Sequence, residues 1–231
     1  MSNEIKSEGK CFFCNDSISV GSIGTHLAKH LNKIGDNILE QTKSFNHIHI
    51  YSKYDKNMFL HLLVDSKAKF ELIDGFLRDI WLECCGHLSG FRFKSDEIKM
   101  NKKVGDVFLV VDKIDYDYDY GTTTSLIIKG LKTYKLPYID QNLILLSRNE
   151  PLELICSNCE LLPAEKMCSA CCDQFGFLLL CKKCDKKHKK TCEDYDDYAE
   201  LNIVNSPRCG ECGYIGGGID LERDGFYKLK K

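Results

Sequence analysis

Arginine is scarce in this chain, with five among 32 basic residues. Arginine supplies the planar fork that grips guanine edges and phosphates two bonds at a time. Its scarcity, with a net charge of −2 from 32 Lys+Arg against 34 Asp+Glu, argues against a globally basic nucleic-acid binder. No apolar run exceeds about five residues, too short for a bilayer-spanning helix, so no membrane contact is expected. The opening MSNEIKSEGK has no apolar core of a signal peptide. A phosphate-binding glycine loop, a nucleophile elbow and an HExxH motif are all missing. The expectation is a cytoplasmic protein whose thiols are kept reduced.

What is abundant is cysteine, with 14 residues, in a chain whose 43% apolar and 29% charged content is that of a globular protein. In a reducing compartment, paired cysteines point to metal sites before disulfides. Cys11, Cys14, His26 and His30 have the spacing C-x2-C-x11-H-x3-H. A short hairpin brings the thiolates together, and one helical turn puts both histidines on one face, as tetrahedral zinc requires. Ile18 and Ile23 stand where a small finger needs its apolar core. These residues resemble the C2H2 zinc-finger family. Ser19, Ser22 and Thr25, at the base-facing positions, cannot make two-bond contacts to a base pair, which favours a structural or protein-contact role.

Four further pairs lie near the C-terminus: Cys156 and Cys159, Cys168 and Cys171, Cys181 and Cys184, His188 and Cys192. Eight ligands fit two zinc ions. Their order resembles cross-brace modules of the B-box and MYND type. That resemblance implies that the first and third pairs hold one ion and the second and fourth the other, and that the partner is a protein. Cys172, or the pair Cys209 and Cys212, offers an alternative to a member of the second set. Two to three structural zinc ions are therefore expected in all. Lys182 to Lys190 form a basic run that nucleic acid could use, followed by acidic residues Glu193 to Glu200; mutual offsetting of these charges is the simpler reading.

Between the cysteine-rich ends, periodicity predicts an α+β domain. The expected division is residues 1–40, a C2H2-like finger; 41–150, a mixed strand and helix domain; and 151–231, a cysteine-rich module. Strands are predicted at Phe45–Tyr51, Met58–Val64, Asp106–Val111, Lys113–Tyr120, and Thr122–Lys129 after a turn at Gly121. Leu143–Leu146 is a short apolar run of either type. A helix is predicted at Lys67–Cys85, capped by Asp65 or Ser66 and ended by Gly86, with Asp74 and Arg78 paired on its outer face. Asp115, Asp117 and Asp119 share one strand face, read as exposed; a hard cation is the alternative. His47, His49 and His61 fall on strands where they can cluster. Cys84, Cys85 and His87 admit a nucleophile with its base or a metal set, but are expected to be small packing residues at a helix end.

The segment FLRDIWLECCGHLSGF, with His87, Leu88 and Phe91, and the later YDYDYG, with Tyr116, Tyr118, Asp119, Tyr120 and Gly121, resemble the Ri-plasmid open-reading-frame-three-like domain family over residues 45 to 150. Some members are labelled passengers of transposable elements, and the family has no established activity. The tail NSPRCGECGYIGG resembles a zinc-carrying subset, which implies Cys212 as a ligand and leaves Cys209 out. The reading that follows is a non-enzymatic, zinc-stabilised interaction protein with an unidentified protein partner. Its rivals are a nucleic-acid-associated factor linked to mobile elements and a cysteine enzyme centred on Cys84, Cys85 and His87.

Overall fold

The computed structural model describes residues 7–36, 41–171, 176–217 and 225–227. The chain is α+β. At its centre, strands β3 (Thr42–Ser52) and β4 (Phe59–Asp65) pair antiparallel. On one side β3 continues to β8 (Thr124–Pro137), β7 (Lys113–Tyr118), β5 (Ser89–Phe93) and β6 (Asp96–Ile98). On the other, β4 continues to β9 (Leu143–Arg148) and β13 (Gly225–Tyr227), giving eight strands.

Both faces of this sheet are covered, which explains why β4 is buried at every position. Alternation sends Leu60, Leu62 and Val64 to one core, and Phe59 and Leu63 to the other. β9 divides likewise, with Leu143 and Leu145 against Ile144 and Leu146. In β3 the same alternation sets Phe45 against Ile48 and Ile50, so it faces the opposite core; the bulge at His47 and Ile48 lies in β8, where Leu131 is the extra residue.

The larger core lies under α2 (Phe70–Leu77), whose Phe70, Ile73, Phe76 and Leu77 are buried. The predicted helix is shorter than its periodicity suggests. It begins after Lys69 instead of at Asp65 or Ser66, because Asp65 Oδ1 accepts from the Lys67 amide and holds a turn there. It passes into a single π-helical turn, Arg78–Leu82, which buries Ile80, Trp81 and Leu82 and ends at Glu83 instead of Gly86. Asp106–Val111 is not a strand. Val104–Phe108 forms a short helix, α3, because the Val104 and Gly105 amides bond to Ala68 O and Ser66 O. Gly105 is required there: a Cβ would meet Ser66 Cβ at 2.8 Å.

The second core is shared with the N-terminal segment. β1 (Glu8–Lys10) and β2 (Ser17–Ser19) form a hairpin that leads into α1 (Ile23–Gly35). Ile23, Leu27 and Leu31, one stripe of α1, pack with Phe45, Leu63, Tyr134 and Leu146 of the sheet. The hairpin also bonds to the end of β9: Gly9 bridges Asn149, and the Phe12 amide bonds to Leu146 O. The first region is therefore docked on the central sheet over an extended apolar contact.

Toward the C-terminus, β10 (Lys166–Cys168) lies between β11 (Leu178–Leu180) and β12 (Glu200–Asn202), with α4 (Lys182–His188) following β11. Leu180, Tyr195 and Ala199 surround Cys168 in a third, small core.

Candidate metal centres

Four groups of Cys and His side chains bring one donor atom each to within 4.8 Å of one another. They are Cys11, Cys14, His26 and His30; Cys156, Cys159, Cys181 and Cys184; Cys168, Cys171, His188 and Cys192; and Cys84, Cys85, His87 and Cys212. A tetrahedral ion with sulfur at about 2.3 Å and nitrogen at about 2.0–2.1 Å implies edges of about 3.8 Å between sulfurs and about 3.3 Å between nitrogens. The observed edges fall there. His26 and His30 Nε2 are 3.3 Å apart. Cys159 and Cys181 are separated by 3.8 Å, Cys168 and Cys192 by 3.9 Å, and Cys85 and Cys212 by 3.6 Å. A disulfide needs about 2.05 Å, so these are thiol pairs spaced for a shared cation.

In the first group the hairpin supplies Cys11 and Cys14, and α1 supplies the histidines. Positions 26 and 30 form a stripe beside the buried stripe 23, 27 and 31, so one helix docks on the sheet and closes the site at once. The Phe13 amide donates to Cys11 Sγ, and the Phe13 ring stacks on His30 at 5.1 Å. The turn itself recurs. The residue after the second cysteine has a positive φ at Asn15 (60°), Glu160 (53°) and Gly213 (63°). The Asn15 and Glu160 amides return to Cys11 O and Cys156 O. This tight return aims the two thiols of a C-x2-C at one point, and at Glu160 it holds a side-chain-bearing residue in the left-handed region.

The second and third groups interleave: the first and third pairs in the chain meet, as do the second and fourth. α4 serves both, with Cys184 in one and His188 in the other. Burial and the Cys181 thiol push Cys184 up to about 12, whereas Cys156, despite burial, is held at about 6 by backbone amides of Cys181, Cys159 and Asn158. One thiolate forms readily and the next is opposed by its neighbours, a conflict that a central cation removes. In the third group, His188 Nε2 is buried and has no hydrogen-bond partner among the described residues. An orphaned imidazole nitrogen beside three thiols has the chemistry of a metal ligand.

The fourth group assembles residues far apart in sequence. The π-helical turn delivers Cys84, half-buried, and Cys85, exposed. Cys84 packs against the larger core as expected of a small residue at a helix end, whereas the exposure of Cys85 corrects that expectation. Cys85 Sγ lies 3.0 Å from His87 Nε2, and Cys212 Sγ lies 3.6 Å from the same nitrogen. The Cys212 and Cys84 thiols, with burial, push Cys85 up to about 12. Cys212 arrives on a docked tail. Ser206 Oγ donates to Trp81 O at 2.6 Å, and Gly217 lies so close to the Asp79–Ile80 backbone that a Cβ would stand 2.3 Å from Asp79 O. Arg208, fully buried, donates to Asp119 Oδ2 at 2.6 Å and to Thr122 O and Thr124 Oγ1.

That tail also revises the aspartate row. Asp117 and Asp119 are buried instead of exposed, because Arg92 pairs with the first and Arg208 with the second. Both carboxylates are thereby engaged by guanidinium groups, not arranged around a hard cation. Arg208 holds the Asp119 carboxyl below the usual carboxylate range. Cys209 lies outside the four groups; its sulfur accepts from the Val204 amide, and burial raises its thiol. Cys172 is outside the described residues.

No family model matches the chain, and comparison with curated proteins and with solved structures yields no match either. The centres are therefore defined by their own geometry, and among the described residues there are four candidate sites, where sequence spacing leads to two or three. The fourth was reachable by subtraction. Once the three spaced sets are assigned, Cys84, Cys85, His87, Cys209, Cys212 and Cys172 remain, and one Cys-Cys-x-His needs one more thiol. Among the described residues, no helix is long and apolar enough to cross a membrane.

Proposed function

We propose that all four sets bind zinc, that the zinc is structural, and that the chain is a non-enzymatic interaction protein whose braced surfaces engage another protein. The observation that carries this is the closure of every set by four protein donors. A complete tetrahedron of thiolate and imidazole suits zinc and leaves no position for a reacting water. Thiol sets of this kind also fit a reducing compartment such as the cytoplasm. The motif residues Tyr116, Tyr118, Asp119, Tyr120 and Gly121 are the ground on which we propose that residues 45 to 150 belong to the open-reading-frame-three-like family.

The cysteine-enzyme reading draws on the 3.0 Å approach of Cys85 and His87. It is the weaker one: Cys85 is raised to about 12 by its neighbouring thiols, and although, against its burial, Arg208 lowers Cys84, the side chains of Cys84, Cys85 and His87 converge with Cys212 as four donors on one point, which is a ligand set before it is a nucleophile with its base. Elemental analysis of protein purified without added metal tests the proposal. The expected result is zinc at four equivalents per chain, matching the four sets. A redox-active metal, or fewer than four equivalents of zinc, defeats it.

A further inference from the structure

We infer that the face made by α4 and the loop before β10 docks an acidic, extended peptide segment of another protein, one with a leucine- or phenylalanine-like side chain among its carboxylates. This names the partner class for the interaction reading above and rests on it.

The face joins two kinds of surface. Leu161 is 81% exposed and Leu162 47%, with Ile155 and Pro163 beside them. Exposed aliphatic side chains in one short loop form a seat for apolar groups. Lys182, Lys183, Lys186 and Lys187 are all exposed on α4, and their spacing keeps them on one side of the helix. Two adjoining hollows share Leu162, Cys181 and Lys183: one, of about 340 Å³, opens onto the Cys159, Cys181 and Cys184 thiols of a metal set, and the other, of about 400 Å³, is lined by Leu162, Pro163, Lys182, Lys183 and Lys186, so apolar and cationic surfaces meet in the second.

The charges are available. The acidic run that follows is engaged elsewhere: Asp196 pairs with Lys189 at 2.7 Å and Glu200 with Lys166 at 2.6 Å. None of the four lysines makes an ion pair among the described residues, and Glu165 is the carboxylate that lines the concavities. Between the basic and acidic runs, the ion pair among the described residues is Lys189 with Asp196, and Glu200 and Asp185 also act on Lys189. Beneath the face, Cys181 and Cys184 belong to one four-thiol set, so the loop and helix are braced and lose little freedom on binding.

An acidic peptide fits better than nucleic acid. Strand binding uses aromatic platforms for bases and Arg forks for phosphates, and this face offers aliphatic groups and lysines. It also fits better than a second copy's own acidic run. There Tyr195 and Ala199 are buried and Asp196 is paired, so that run cannot lie extended in a neighbour's hollow.

The test is selection from a random peptide display library on the metal-loaded full chain, followed by fluorescence anisotropy with the most enriched peptide. The expected peptides place Asp or Glu around Leu or Phe. Lys183→Glu with Lys187→Glu, and separately Leu161→Ser with Leu162→Ser, each weaken binding at least about tenfold while zinc content and thermal unfolding stay at the parent values. Binding of the parent falls with added salt. The inference is overturned by absence of enrichment, by enriched peptides without carboxylates, or by binding indifferent to both double variants. A single-stranded oligonucleotide that outcompetes the peptide, or self-association abolished by the same variants, also overturns it. Zinc measured on the same sample separates the two failures: full zinc without peptide binding defeats this inference alone, whereas missing zinc defeats the structural reading beneath it.

Discussion

Three of the chain's seven histidines lie in none of the metal sets, and they make its acid stability calculable. His47, His49 and His61 meet on the sheet face beneath α1. His47 Nε2 is 3.0 Å from His61 Nδ1, and His49 and His61 stack at 4.4 Å. Burial, and then the neighbouring His49, lower His47 to about 4; burial, and then Lys129, lower His49 to about 4; and burial holds His61 well below its ordinary 6.5. The native state therefore keeps these rings neutral where the unfolded chain binds protons. Stability is full above pH 6.5 and is lost as pH falls from 6.5 toward 4. At pH 5 each of His47 and His49 disfavours the native state by about 2 kcal/mol, so the pair accounts for about 4 kcal/mol of loss relative to pH 7. That is a large part of a typical total of about 5–15 kcal/mol. Denaturant unfolding of metal-saturated protein at pH 7 and pH 5, for the parent and for His47→Gln with His49→Gln, reads the difference. Metal release from His26, His30, His87 and His188 adds acid sensitivity to both proteins, so the comparison of slopes is what counts. The double variant is expected to lose about 4 kcal/mol less than the parent across this interval. Equal losses in the two proteins refute the reasoning.

Cys212→Ser removes one donor of the fourth set; zinc is expected to fall by one equivalent, and hydrogen exchange over residues 204–217 to rise, with the other three sets retained. Leu27→Ala opens a cavity in the second core and is expected to cost about 2–5 kcal/mol in denaturant unfolding, a loss that an undocked N-terminal finger would not transmit to the sheet. Gly105→Ala forces a methyl against Ser66 and is expected to cost about 1–3 kcal/mol, whereas Gly21→Ala, with nothing within 4 Å of its Cβ, tests the same substitution in open space. Chelation is expected to release the cysteine-rich module to proteolysis before the central sheet, because its core is four buried residues whereas α1 keeps an apolar seat.

What could be read from sequence follows the range of the interaction. The finger, the α4 ligands and the alternation in β3 and β4 are local, so spacing and periodicity reveal them. Val107 to Val111 reads as a strand because five apolar residues in a row say nothing about the carbonyls of Ser66 and Ala68 that wind the chain into α3. β5 and β6 carry little periodicity because they are short, and β6 is a charged strand at the sheet edge. The aspartate row is visible in sequence, but what engages it is not: Asp117 pairs with Arg92 of β5 and Asp119 with Arg208, 89 residues away. The fourth metal set joins Cys85 to Cys212 across 127 residues, a separation for which no spacing rule exists.

The seating of α1 has a consequence for the order of events during synthesis. Residues 7–36 leave the ribosome before the strands that receive Ile23, Leu27 and Leu31, which are complete only when residue 148 has been made. Until then the amphipathic helix has nowhere to put its oily stripe. A metal ion held by Cys11, Cys14, His26 and His30 would keep that helix wound while the rest of the chain is still being translated.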